Sequence, residues 1–260
     1  MPRFSANLSL LYTELPLLER FIPARGCGFT AAEIQFPYET PARQIKEQIE
    51  LTGLELVLIN VPAGDFLNGG EGLAAVPSRR QEFIDAVSKA AEYADIIRPK
   101  FINILPGCCF ETDHFNQYME TFINNLAHAA DVFLKKDIKV VFEAVNTKDW
   151  PGFLIHNSKQ MIQVLEELNH SNVYLQYDIY HMHTMEEDYI SFFERYIEKI
   201  GHIQFADSPG RHQPGTGEID FNNIFKAIDA SEYKGWLGAE YIPTGETRDS
   251  LDWFTTYCQL

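Results

Sequence analysis

Eight times along the chain, a short apolar run of strand character gives way to a stretch with helical spacing. The strand-like runs fall near residues 3–8, 30–36, 54–61, 100–105, 139–145, 173–179, 201–206 and 236–242. The helix-like stretches fall near 15–25, 41–52, 79–97, 113–136, 158–169, 186–199, 221–230 and 246–257, with Ser78, Thr112 and Ser158 as expected caps. This alternation predicts an α/β protein built as a single (β/α)₈ barrel over residues 1–260. A doubly wound open sheet would want a glycine-rich phosphate turn after the first strand, and none is there.

Side-chain parity supports closure, because alternate residues of a strand face opposite ways. The first strand sets Phe4 and Ala6 against Ser5 and Asn7, the second Ile34 and Phe36 against Glu33 and Gln35, and the fourth Ile102 and Ile104 against Asn103. Polar groups thus recur on one face, as an inward-facing site requires. The third strand, "LELVLINVP", has no clean parity. Two long loops follow strands, at 62–78 and 207–220, where barrels carry recognition loops and lids. "GTGE" at 215–218 has a phosphate-loop flavour but lacks the usual Lys and Ser or Thr, and it is expected to be a turn.

The net charge of −16, from 37 acidic and 21 basic residues, repels phosphate backbones and argues against nucleic acid as a partner. An anionic substrate must then be captured locally. No window nears the ~18 apolar residues of a membrane span, and no signal peptide is evident. Cys27, Cys108, Cys109 and Cys258 have no zinc-type spacing, so reduced thiols and a cytoplasmic protein are expected. The oligomeric state is left open, a homo-oligomer included.

Glu143, Asp178, Gln204 and Glu240 stand at the ends of four apolar strands, all on the parity opposite to Phe142, Tyr177, Phe205 and Ala239. Three carboxylates and an amide suit a hard divalent cation, Mg²⁺ or Mn²⁺, with positions left for a bidentate substrate. Such a cation would acidify the C–H of an α-hydroxycarbonyl compound, and Glu143 and Glu240 would carry the proton between adjacent carbons. His181, one turn after Asp178, and Arg211, in the seventh loop, are candidate substrate contacts. His202 lies deeper, where packing is expected; Lys148 and Asp149 have rim positions. Cys108 and Cys109 have no histidine at a spacing that suggests a nucleophile.

Together, "RFSANLSLL", "FPY", "PAGDF", "QYDIYHM", "IGHIQFADSPGRHQPGTGEI" and "GWLGAEY" resemble the bacterial hydroxypyruvate isomerases, nearly end to end. That family lies among sugar isomerase and epimerase barrels that also include an endonuclease branch. The resemblance implies interconversion of hydroxypyruvate and 2-hydroxy-3-oxopropanoate, a small anionic hydroxyacid pair, through an enediol. It implies Glu143 and Glu240 as proton carriers, Glu143, Asp178, Gln204 and Glu240 as metal ligands, and His181 and Arg211 as substrate contacts. The metal need not be obligatory, since the glutamates act on an already acidic substrate. Isomerisation of a 2-oxo-tetronate, or ketose 3-epimerisation, is the alternative. Two departures bear on this choice: Ile59 where a histidine is expected, and Pro106 to Cys109 where a lysine is expected.

Overall fold

The computed structural model describes residues 2–258, with the side chain of Cys258 outside the described part. Eight parallel strands close into a barrel in sequence order: β1 Arg3–Asn7, β2 Ala31–Ile34, β3 Glu55–Asn60, β4 Phe101–Asn103, β5 Lys139–Glu143, β6 Val173–Asp178, β7 Ile200–Phe205 and β8 Trp236–Ala239. Outside them lie α1 Phe21–Gly26, α2 Ala42–Thr52, α3 Arg80–Ile97, α4 Phe115–Leu134, α5 Ser158–Leu168, α7 Tyr189–Tyr196, α8 Phe221–Ala230 and α9 Asp252–Cys258. One short helix, α6 Ile179–Thr184, leaves β6 directly and falls outside the expected pattern. The expected cap Ser158 is corrected to Asn157, whose side chain accepts from the Gln160 amide. Ser158 instead binds Glu187. Ser78 and Thr112 sit within 3₁₀ turns at 77–79 and 112–114, with no side-chain cap there.

The main core lies between strands and helices and contains Ala32, Ile34, Ile102, Phe142, Leu175, Tyr177, Ile203 and Leu237. The interior of the barrel has its own floor of Ala31, Val57, Leu58, Phe101, Val141 and Trp236, backed by Tyr174. Registers show why β3 has no regular parity: Ala32 pairs with Leu56 but Glu33 with Leu58, leaving Val57 as an extra residue. Such a bulge flips the alternation. Val57 and Leu58 both join the inner floor, while Leu56 and Ile59 join the outer core. Ile59 therefore faces away from the site, and the departure noted there does not touch the pocket. β7 repeats the device: Leu175 pairs with Ile200 and Gln176 with His202, with Gly201 between.

Above the floor lies a buried polar layer. Glu33 and His202 are fully buried, with Glu33 Oε2 2.7 Å from His202 Nε2. Gly238 makes room for them, since a Cβ there would lie 2.0 Å from Glu33 Oε1 and 2.9 Å from His202 Nε2. Gly238→Ala is therefore expected to lose ~1–3 kcal/mol through overpacking, checked by denaturant unfolding; wild-type stability in that variant would refute the crowding argument.

Several loops at the carboxyl ends of the strands are closed by their own acids. Asp65 accepts from the Gly72 amide and from Arg79. Glu71 accepts from the Phe110 amide and the Tyr118 hydroxyl, tying the loop after β3 to the loop after β4. Asp207 accepts from the amides of Ser208, Gly215, Thr216, Gly217 and Ile219. The "GTGE" segment is thus a turn, and the anion its amides hold is the chain's own carboxylate.

Candidate active site

Every residue expected in the site stands at the carboxyl end of the barrel. Glu143 and Asp178 end β5 and β6, Gln204 precedes the last residue of β7, and Glu240 follows β8. Asp178 also caps α6: its Oδ1 accepts from the Tyr180 amide at 2.8 Å, which starts the turn that returns His181 to the site. His181 Nε2 lies 3.5 Å from Asp178 Oδ2. Arg211 arrives from the loop after β7, at φ 57°, following Gly210 at φ 99°. Its carbonyl accepts from the Ile242 amide at 2.8 Å, joining that loop to the one after β8.

The guanidinium of Arg211 is the hub. Its Nη2 is 2.6 Å from Glu240 Oε1 and 3.7 Å from Asp178 Oδ2, and it lies over the Tyr180 ring at 5.3 Å. Glu240 Oε1 also accepts from Gln35 Nε2 at 2.9 Å. Glu143 Oε1 accepts from Asn103 Nδ2 at 2.7 Å. Gln204 is held at both ends of its amide: Oε1 accepts from Gln176 at 2.6 Å, and Nε2 donates to Glu33 at 3.3 Å. Gln35, Asn103, Gln176 and Glu33 have no assigned part in the sequence reading, although the inward parity of three of them is visible there.

Glu143, Asp178 and Glu240 are 6%, 1% and 5% exposed, so ionising them is costly. Burial, then the nearby Asp178, pushes Glu143 up to about 7, against the Asn103 hydrogen bond and Arg211. Burial also raises Asp178 and drives Glu240 well above the usual carboxylate range, with Arg211 opposing both. Burial, reinforced by Arg211, holds His181 well below the usual imidazole value and hence neutral. Three desolvated carboxylates face a single guanidinium, so the site retains at least one proton near neutrality. An acid and a base side by side are what a proton shift between carbons needs.

A divalent cation fits part of this set. Ligand atoms of Glu143, Asp178 and His181 lie within 4.8 Å of one another, and Asp178 Oδ2 is buried without a hydrogen-bond partner. Gln204 and Glu240, expected as further ligands, are engaged by Gln176 and by Arg211 with Gln35, each keeping acceptor capacity.

The closed eight-strand barrel with acid groups at its carboxyl end has its counterpart in a known family. The chain belongs to the xylose isomerase-like TIM barrel family, whose model matches residues 21–257. It is 40% identical to the hydroxypyruvate isomerase of Escherichia coli over 257 residues, 99% of this chain and all of that protein. It is 36% identical to the 2-oxo-tetronate isomerase of Pectobacterium atrosepticum, covering 97% of both chains. A crystal structure from Brucella melitensis, described as an AP endonuclease of family 2, superposes with a TM-score of 0.95 at 36% identity and 99% coverage of both chains. The protein is an isomerase enzyme. Among the described residues, no helix is long and apolar enough to cross a membrane.

Proposed function

We propose that the protein interconverts hydroxypyruvate and 2-hydroxy-3-oxopropanoate, with Glu143 and Glu240 moving one proton between C3 and C2. The observation that carries this reading is the pair of buried glutamates, on β5 and just after β8, with the guanidinium of Arg211 paired to Glu240 and acting on Glu143 through its charge. One carboxylate takes a proton from the C3 hydroxymethyl group and the C2 carbonyl becomes an enediolate oxygen. A proton is then delivered to C2, while the O3 hydroxyl proton passes to O2, so that C3 becomes the aldehyde. Arg211 pairs with the substrate carboxylate, and because its side chain is only 20% exposed such a pair is strong, offsetting the repulsion of a −16 chain. His181 faces a substrate oxygen.

Glu143 and Asp178 are the firmest holders for Mg²⁺ or Mn²⁺, with Gln204 and Glu240 completing the set. Such a cation, when bound, would polarise the carbonyl and hydroxyl oxygens and acidify the C–H between them. The free thiols of Cys27, Cys108 and Cys109 support a cytoplasmic setting. DNA cleavage has little support: one group of three possible metal ligands is found among the described residues, on a strongly acidic chain.

The test is incubation in deuterated water with hydroxypyruvate, 2-oxo-tetronates and free ketoses. Turnover of hydroxypyruvate with solvent deuterium at the carbon that receives the proton is expected. Faster turnover of a 2-oxo-tetronate would move the substrate to four carbons with the same chemistry, and absence of both turnover and exchange across the panel would overturn the reading.

A further inference from the structure

Asn146, fully buried in the loop after β5, has both ends of its amide fixed. Its Oδ1 accepts from the backbone amides of Lys148, at 3.1 Å, and Asp149, at 2.8 Å. Its Nδ2 lies 2.9 Å from Asp149 Oδ2 and 2.7 Å from His181 Nδ1. Turning the amide over would set nitrogen against two N–H donors and oxygen against a carboxylate, so this orientation is over-determined. Asp149 also accepts from the hydroxyl of Tyr180, the ring beneath Arg211, at 2.7 Å.

With the amide so held, Nδ2 must donate to His181 Nδ1, which is then a bare acceptor. The ring proton of the neutral imidazole therefore lies on Nε2. The other side of the ring is compatible with this where Asp178 is ionised. Nε2 is 3.5 Å from Asp178 Oδ2, an oxygen with no hydrogen-bond partner, and a bare Nε2 there would oppose two lone pairs.

We infer that Asn146 is a positioning residue that fixes His181 as the Nε2–H tautomer, making His181 a hydrogen-bond donor to a substrate oxygen and removing it from any metal's ligand shell. The role as donor rests on the isomerase reading above; the tautomer does not. A neutral N–H donor stabilises the charge that develops on the enediolate oxygen and adds no fixed positive charge to the site. The three groups that could hold a cation reduce to Glu143 and Asp178, since a nitrogen that carries a proton has no lone pair to give. What remains is an all-oxygen set, which favours hard cations such as Mg²⁺ or Mn²⁺ over Zn²⁺.

The experiment is a long-range ¹H–¹⁵N correlation spectrum of the ¹⁵N-labelled protein, with His181 assigned by its loss in His181→Gln. A protonated Nε2 beside a bare Nδ1 is expected near neutral pH. A proton on Nδ1, or on both nitrogens, overturns the inference. Asn146→Asp combined with Asp149→Asn, which keeps an amide donor opposite the new carboxylate, replaces the donor to His181 with an acceptor and should move the proton to Nδ1, freeing Nε2 and tightening Zn²⁺ binding by ~10-fold or more in equilibrium dialysis; an unmoved proton counts against the assignment. Where that variant fails to fold, Asn146→Ala, which only deletes the donor, should release His181 to a mixture of tautomers. The alanine variant should also lose ~10- to 100-fold in kcat with a smaller change in KM. Turnover by a wild-type enzyme with Nδ1–H sinks this inference alone, whereas an inert wild type with Nε2–H sinks the isomerase reading alone.

Discussion

Glu143→Gln is expected to abolish proton transfer, a loss of ~10²- to 10⁴-fold in kcat, and yet to yield a more stable protein above neutral pH. The stability half follows from burial. Glu143 is raised from 4.5 to about 7 in the folded protein, so the native state binds the proton more tightly than the unfolded chain does. That contribution is complete below about 4.5 and disappears as pH rises through about 7. Wild type therefore bears an ionisation cost at pH 8, on the order of 3 kcal/mol at most, which the glutamine avoids. Melting curves of both proteins should diverge between pH 5 and 8 and converge in acid. A glutamine variant that is equally unstable at all pH values would refute the burial argument, and one that retains full turnover would refute the catalytic role. Glu240→Gln is expected to lose turnover to a similar extent.

Asp207→Ala carries the largest structural effect. One side chain accepts from five backbone amides across residues 208–219, and its loss leaves those donors without their charged partner. Because the bonds form one network, the cost is not their sum; ~3–5 kcal/mol is expected, or a fall in melting temperature of roughly 10 °C. Arg211 is carried by the same loop, so KM should rise by more than kcat falls. Asp207→Asn keeps a carbonyl oxygen but sets an NH₂ against backbone N–H groups, and should fall between the two. A wild-type melting temperature and KM in Asp207→Ala would show that the loop holds its shape by other means.

The eight strand-helix units were legible in the sequence because period-2 and period-3.6 patterns are local. What was not legible depends on register or on distant partners. The bulge at Val57 arises from a pairing offset between β2 and β3, and it scrambles the parity on which a strand is recognised. Helix α6 begins inside a run that continues the β6 pattern, and only the cap formed by Asp178 marks its start. Ser158 and Asn157 are adjacent candidates for the same cap, and geometry chooses between them. In the site, the parity of Glu143, Asp178, Gln204 and Glu240 was visible, but their partners were not. Asn103 reaches Glu143 across 40 positions and Gln35 reaches Glu240 across 205, distances over which a single sequence carries no signal.

The internal carboxylate clamps at Asp65, Glu71 and Asp207 have a calorimetric consequence. Loops already fastened by their own anions need no disorder-to-order transition when a ligand arrives, so the ordering entropy is met at folding and not at binding. The heat-capacity change on capturing a small hydroxyacid should then be small, set by the few groups the ligand covers and not by coupled folding of a lid. Part of the chain's acidic excess is thus scaffolding, and one of these carboxylates, Asp207, is fully buried away from the anion the site must attract.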